Sequence, residues 1–302
     1  MNESDLHRRI FARSADLAAA FPGVVVGPGD DCAVVKSASG DVLLLKVDQV
    51  VEGRHFRPDT PIDLIARKAV ARTVSDIAAM GGVPRWGMAS GVLPPGYPHA
   101  DELCARLAHW GRHWGAPMVG GDIATGPEGC PLSLSVSLVG VPHTPRGPVL
   151  RSAAMPGDEV WVTGAIGGSL AVDGSGTHLT FEPRLSEGRW LCDTLGPDLH
   201  AMIDISDGLG RDAGRVAAAS GLRVVIEGAR VPLRDGTSDI SRAAADGEDY
   251  ELLFCIAPGT MTKAMVGGAA MTRIGRVEPG TGCALVLASG EHLDAATMGW
   301  DH

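Results

Sequence analysis

The sequence predicts a mixed α/β (α+β) protein of two domains, on three observations. The chain has 302 residues, enough for two hydrophobic cores. Apolar runs of strand length alternate with runs of helical period along most of it. Composition shifts at 142–149, where Pro142, Pro145, Gly147 and Pro148 separate two strand-like segments. An N-terminal domain over residues 1–145 and a C-terminal domain over 146–302 are therefore expected.

Residues 5–20 carry a helical period (Leu6, Ile10, Phe11, Leu17) and stop near Pro22. Val24-Val25-Val26 reads as a strand that enters the tight turn Gly27-Pro28-Gly29-Asp30-Asp31, with its two adjacent carboxylates. Residues 31–36 read as the next strand. Residues 43–51 read as a third, in which Lys46 and Asp48 alternate with Leu45, Val47 and Gln49. Glu52-Gly53-Arg54-His55-Phe56 is a polar loop. The run 63–80 has the apolar positions of a buried helix, ended by Gly81-Gly82. Asp76 falls near the negative end of that helix dipole, so something positive should stand beside it.

Met88–Leu93 reads as a strand ended by Pro94-Pro95. Residues 99–114 read as a helix with Leu103, Leu107, Trp110 and Trp114 on one face. His109 and His113 are four apart on it, with no Glu or Cys at ligand spacing, and read as a solvated face. Met118 to Asp122 is a short strand ending in Gly-Gly-Asp, where glycines let a backbone approach a phosphate. Residues 132–141 form a further strand. In the second half, 160–163 is a strand and Gly164–Gly168 reads as an anion-binding turn entering a helix. Residues 173–178 read as a flexible loop. Met202 to Leu209 places Asp204, Ser206 and Asp207 at a strand-to-helix switch; helix capping accounts for Ser206 or Asp207 but not for Asp204. Strand 222–227 follows. Gly247-Glu248-Asp249-Tyr250-Glu251 then leads into Leu252-Leu253-Phe254, and strands near 272–277 and 284–289 come last.

Composition excludes several classes of function. Lys+Arg is 26 against Asp+Glu 36, a formal net charge of −10, which opposes nucleic acid as partner and suits a site that collects cations. The start of the chain has no signal-peptide character, and no run reaches a membrane span, so a cytoplasmic protein is expected. Six cysteines without a C-x-x-C pair read as free thiols. The P-loop, the dinucleotide G-x-G-x-x-G, the G-x-S-x-G elbow and the kinase H-R-D set are all absent. What remains is a dispersed set of aspartates: Asp31, Asp48, Asp76, Asp122, Asp204 and Asp207. If they converge, their repulsion calls for a metal, and Mg²⁺ bridging nucleotide phosphates is the chemistry such a set suits.

Several runs, in order from about residue 27 to the end, resemble the thiamine-monophosphate kinase family. They are Gly29-Asp30-Asp31-Cys32-Ala33, Asp48 with Val51-Glu52-Gly53 and His55-Phe56, Val74-Ser75-Asp76-Ile77-Ala78-Ala79-Met80-Gly81 and Gly120-Gly121-Asp122. Leu150-Arg151-Ser152, Ile203-Asp204-Ile205-Ser206-Asp207-Gly208-Leu209, Gly247-Glu248-Asp249-Tyr250-Glu251-Leu252 and the terminal Gly299-Trp300-Asp301-His302 continue the likeness. Single motifs among these are shared with the wider superfamily of aminoimidazole ribonucleotide synthetase.

The resemblance implies an aminoimidazole ribonucleotide synthetase-like fold of two domains, with the N-terminal one dimerising through its sheet. It implies ATP-dependent phosphorylation of thiamine monophosphate to thiamine diphosphate with several Mg²⁺ ions. By the same analogy Asp31, Asp48, Asp76, Asp122, Asp204 and Asp207 hold metal, and Asp76, Asp122 and Asp207 are catalytic. Gly121, Asp122, Arg151 and Ser206 meet ATP, while His55, Glu248 and Trp300 meet the thiamine substrate. The run Lys46-Val47-Asp48-Gln49 departs from the family's hydroxyl-rich pattern and puts an ammonium where a metal ligand is expected. A paralogue acting on another small substrate and a non-catalytic nucleotide-binding dimer are the alternatives this departure leaves open.

Overall fold

A computed structural model of the protein describes residues 3 to 300, apart from 15, 262 and 263; Asp301 and His302 of the terminal motif lie outside the described residues. Strands β1 (Val24–Val26), β2 (Ala33–Lys36), β3 (Val42–Val51), β4 (Val83–Leu93), β5 (Met118–Thr125) and β6 (Ser133–Val141) make the first sheet, in the order β1-β2-β3-β6-β4-β5. Its pairings are antiparallel except β4 with β5. Strands β7 (Glu159–Thr163), β8 (Leu199–Asp204), β9 (Arg223–Glu227), β10 (Leu252–Ile256), β11 (Ala264–Val266), β12 (Ala269–Glu278), β13 (Gly282–Val286) and β14 (His292–Asp294) make the second. Its order is β14-β13-β9-β12-β7-β10-β8, with β11 paired to β12 off that path. The mixed α/β class is thus as the sequence predicts.

The helices are α1 (Glu3–Arg13), α2 (Leu17–Ala20), α3 (Ile62–Ala79), α4 (Ala100–His113), α5 (Leu185–Leu195), α6 (Leu209–Ser220) and α7 (Ile240–Ala245). Among the described residues no helix is long and apolar enough to cross a membrane. One face of the first sheet packs on α3: Leu134, Val136 and Leu138 of β6 are buried with Val70, Val74 and Ile77. The second sheet is covered on one face by α6 (Ala213, Val216, Ala217 against Val160, Ile203, Ile226). Its other face meets α5 (Leu191, Cys192, Leu195 against Trp161, Met202, Phe254).

Helix α3 touches β3, β6, α4, α5 and β8, so it lies between the two sheets and is buried on most sides. That position makes its polar residues informative. Lys68, Arg72, Ser75 and Asp76 stand at i, i+4, i+7 and i+8, one stripe of the helix.

Five local expectations need correction. The helix expected over 5–20 is two, with Ser14 turning its hydroxyl onto the Ile10 carbonyl (2.8 Å) at the break. Strand β4 begins at Val83 rather than 88, and β5 continues through the Gly-Gly-Asp because its ladder with β4 runs on to Leu93–Thr125. Gly164–Gly168 opens no helix. The anion it meets is the chain's own: Gly167 N–H donates to Asp249 (3.0 Å) and Gly168 N–H to Asp246 (3.1 Å). The loop expected over 173–178 ends in a short 3₁₀ turn with His178 buried. Helix α5 went unanticipated because Gly188 interrupts its pattern. A Cβ there would come within 2.5 Å of the Ala78 carbonyl, so the glycine is what lets α5 lie against α3. All six cysteines are free, four of them buried.

Candidate active site

Three elements bring carboxylates together where the two sheets meet. The turn after β1 supplies Asp31, the last turn of α3 supplies Asp76 and the end of β8 supplies Asp204. All three are buried, and one oxygen of each lies within 4.8 Å of the others. Asp31 Oδ2 is buried with no hydrogen-bond partner. An orphaned oxygen in a group of three buried carboxylates fits a hard divalent cation, whose preferred ligands are oxygens.

The surrounding charges are ordered. Asp31 Oδ1 accepts from Arg151 Nη2 at 2.5 Å, while the Arg151 N–H donates to Asp30 (3.0 Å). Ser75 donates to Asp204 at 2.7 Å. Lys46 reaches in from β3 and donates to Asp76 Oδ1 at 2.7 Å, with Asp48 Oδ1 3.8 Å from the same ammonium. Lys46 is therefore the positive group that the Asp76 position at a helix end requires. Burial pulls the Lys46 pKa down, but Asp48 and Asp76 outweigh it and raise it above the ordinary lysine value.

Asp30, Asp31, Lys46, Asp76 and Arg151 line a cleft of about 660 Å³. Its polar end holds Asp31, Asp76, Lys46, Arg151 and Ser206; its apolar end is formed by Ile10 and Phe11 of α1 with Ala218 and Ala219 of α6. A second cleft of about 360 Å³ is lined by His55, Arg72, Ser206, Asp207, Glu248 and Trp300 among others. Ser206 lines both, so the two clefts meet at the β8–α6 switch. Asp212 organises that switch by accepting the N–H groups of Ser206 (3.0 Å), Asp207 (3.0 Å) and Gly208 (3.2 Å). Arg215 bridges Asp212 (2.6 Å) and Asp207.

In the second cleft Glu248 is held in an uncommon backbone conformation, φ 63°, by N–H donation to the Ser206 carbonyl at 2.7 Å. Lys68, wholly buried on α3, donates to Glu248 (2.7 Å) and to the His55 carbonyl (2.6 Å) and lies 2.8 Å from His178 Nδ1. Burial opposes the Glu248 carboxylate, yet the His178 hydrogen bond and the charges of Lys68 and Arg72 hold it at about 2. Burial lowers Lys68 to about 8 despite Glu248 beside it. His55 Nδ1 accepts from the Val51 N–H at 3.0 Å, which leaves the ring proton on Nε2. Arg72 lies 3.8 Å from Asp48 and 3.9 Å from Glu248, with Nε and Nη1 buried and unpaired by hydrogen bonds.

The acidic centre has a consequence for stability. Burial drives the Asp204 carboxyl up to about 7, with the Asp31 charge adding to it. Burial and Asp31 lift Asp30 to about 6, and burial raises Asp76 as well. Unfolded aspartate titrates at about 3.9. Between about pH 4 and about pH 7 the folded form thus binds more protons, and stability falls as pH rises through that window. Without divalent ions, Tm should drop by roughly 3 °C or more from about pH 5 to about pH 7.5. A saturating divalent cation should remove the drop, because a metal held by these carboxylates would bind their ionised form. Scanning fluorimetry across pH checks this, and a Tm that rises over the window in the metal-free protein contradicts it.

Of the residues singled out in the sequence, Asp31, Asp76 and Asp204 converge, with Asp48, Arg151 and Ser206 around them. His55, Glu248 and Trp300 share the second cleft with Asp207. Asp122 does not join them within one chain. It pairs with Ser90, and that row continues through Ser135 to Gln49, whereas Asp48 lies in the row of Val136, Ala89 and Gly121. Asp122 is therefore on the opposite side of the sheet from Asp48, and β5 is three strand spacings, roughly 14 Å, from β3. Gly121 is glycine for a packing reason as well, since a Cβ there would come within 1.8 Å of the Ala89 carbonyl. Lys68, Arg72, His178, Asp212 and Arg215 were missed; the polar stripe on α3 was the signal that could have found the first two.

A profile of the AIR synthase related protein N-terminal domain family matches residues 29–141. The thiamine-monophosphate kinase of Rhodopirellula baltica is 34% identical over 303 residues, covering 93% of this chain and 92% of that one. The thiamine-monophosphate kinase of Escherichia coli K12 is 32% identical over 310 residues and 92% of each chain. A solved structure described as AaThiL complexed with AMPPCP and TMP aligns with a TM-score of 0.80 at 28% identity, over 100% of this chain and 99% of that chain. Likeness at this level runs through both sheets and the junction between them, and this chain belongs to the thiamine-monophosphate kinase family.

Proposed function

We infer that this chain is an ATP-dependent kinase that converts thiamine monophosphate to thiamine diphosphate with Mg²⁺. The observation that carries this reading is the meeting of two clefts at Ser206. One combines an apolar end with a carboxylate-and-arginine end, as a nucleotide and its phosphates require. The other combines Trp300 and Glu248, suited to a thiazolium cation, with Arg72, suited to a phosphate. Asp31, Asp76 and Asp204 would hold Mg²⁺, which supplies charge neutralisation to the transferring phosphoryl group. Arg151 orients the Asp31 carboxylate and carries charge toward the nucleotide phosphates. The backbone of the β8–α6 switch, organised by Asp212, positions Ser206 and Asp207 between the two substrates, so that transfer is mostly positioning of one phosphate against another. Isothermal titration is expected to show thiamine monophosphate binding in the presence of Mg²⁺ and AMPPCP; a substrate site that takes up no thiamine monophosphate under those conditions overturns the assignment.

We take residues 1–145 as the metal-binding and dimerising domain and 146–302 as its partner domain; in support, the first sheet ends at Val141 and the second begins at Glu159. The face of the first sheet turned away from α3 exposes Leu45, Val47, Trp86, Met88 and Val92, a group of large apolar side chains on one face of the kind that marks a protein–protein contact. A homodimer through that face is our reading. Val47→Glu with Trp86→Glu should give a monomer by analytical ultracentrifugation where the wild type is a dimer. Asp122 enters the site only through such a second copy. Six unpaired cysteines are in keeping with a cytoplasmic setting.

A further inference from the structure

We propose that the Asp48 side of the acidic centre is neutralised by two cations of the chain itself, the Lys46 ammonium and the Arg72 guanidinium, so that divalent ions are confined to the Asp31–Asp76–Asp204 side. The proposal rests on the Mg²⁺-nucleotide reading above and specifies how the site takes its metal.

Asp48 stands 3.8 Å from Lys46 Nζ and 3.8 Å from Arg72 Nε, on two different elements. The same ammonium donates to Asp76 at 2.7 Å and so lies against both carboxylates that a bridging ion would need. A Mg²⁺ ion sits about 2.1 Å from its oxygens. An ion shared by Asp48 and Asp76 would therefore require the space the ammonium holds. Among the described residues, the carboxylates that form a compact ligand group are Asp31, Asp76 and Asp204, without Asp48.

Charge gives the same answer. Asp76 and Asp48 meet Lys46, Asp48 also meets Arg72, and Asp31 meets Arg151, which serves Asp30 as well, while Arg72 also serves Glu248; three carboxylates of the centre thus have a counter-charge before any metal arrives. Several divalent ions in addition would leave the buried centre strongly positive until phosphates came with them. Arg72 is also directed at more than Asp48. Its Nη1 lies 3.9 Å from Glu248, and its Nε and Nη1 hydrogens are buried and unpaired by hydrogen bonds, at the boundary of the substrate cleft. A fixed guanidinium there stands where a mobile ion would otherwise be needed, between Asp48 and Glu248.

The direct test is a crystal structure of the wild type grown with Mn²⁺ and AMPPCP, with manganese located by anomalous scattering. Peaks confined to the Asp31, Asp76 and Asp204 oxygens, with Lys46 and Arg72 still against Asp48, are expected. A manganese peak joining Asp48 to Asp76, with Lys46 displaced, overturns the proposal. In solution, electron paramagnetic resonance counts bound Mn²⁺ in the presence of AMPPCP. Lys46→Ala is expected to gain one ion per chain over the wild type, and Lys46→Arg none. Equal counts in the wild type and Lys46→Ala, with Mn²⁺-dependent AMPPCP binding intact in both, sink this proposal and leave the kinase reading standing. A wild type that binds AMPPCP without any dependence on Mn²⁺ removes the kinase reading and this proposal together.

Discussion

Asp76→Asn is expected to lower the rate of thiamine diphosphate formation at least about 10³-fold, the equivalent of about 4 kcal/mol of transition-state stabilisation. Asparagine keeps the shape of the side chain and its place in the last turn of α3. What it loses is the charge that joins Asp31 and Asp204 in the buried trio and that Lys46 contacts at 2.7 Å. A metal coordinated by that trio loses an anionic ligand, and the Lys46 ammonium loses its nearest carboxylate. The fold itself should hold. Burial and the neighbouring carboxylates already disfavour the ionised Asp76, so removing it relieves repulsion in the metal-free protein. Circular dichroism unchanged, Tm equal or higher without metal, and turnover lost is the expected combination. A variant that turns over at the wild-type rate places the reaction elsewhere.

Lys68→Met is expected to raise the KM for thiamine monophosphate roughly 30-fold or more and to cost about 3 kcal/mol of stability. Lys68 has no contact with solvent, and its ammonium is shared by Glu248, the His55 carbonyl and His178. Methionine fills nearly the same volume but leaves the part-buried Glu248 with one cation fewer. The Glu248 carboxylate, now held at about 2 with the help of that charge, should move up, and the orientation of His55 should loosen with it. The double variant Lys68→Met/Glu248→Gln separates the two effects. It should recover much of the stability, because a neutral amide tolerates the apolar neighbour, while KM stays high. Steady-state kinetics and thermal unfolding on the three proteins check this. A Lys68→Met enzyme with unchanged KM shows that the Glu248 cleft is not where thiamine monophosphate binds.

How much of this was legible beforehand follows from the range of the interactions. Periodicity is local, and it marked α3, α4, β3 and β6 to within a residue or two. The acidic turns before β2 and after β8 were visible as Asp residues inside or beside apolar runs, where burial is costly without a counter-charge. The identity of the counter-charge was not visible. Lys46 and Asp76 are 30 positions apart, Lys68 and Glu248 are 180 apart, and no local pattern pairs them.

Arg72 and Lys68 read as ordinary charged positions of a helix until α3 is seen to be covered on most sides. Gly164–Gly168 misled for the complementary reason. Its backbone donors do meet an anion, but the anion is Asp249, which lies far along the chain. Asp122 shows the limit of motif reading within one chain. The motif is present, yet strand register sends it to the face opposite Asp48.

The central claim is tested most directly by incubating the purified full chain with ATP, Mg²⁺ and thiamine monophosphate and separating the thiamine esters by chromatography. The account predicts thiamine diphosphate formed in equal amount to ADP, dependent on Mg²⁺ and absent when AMPPCP replaces ATP. ADP without thiamine diphosphate, or neither product with AMPPCP and Mg²⁺ demonstrably bound, would contradict it.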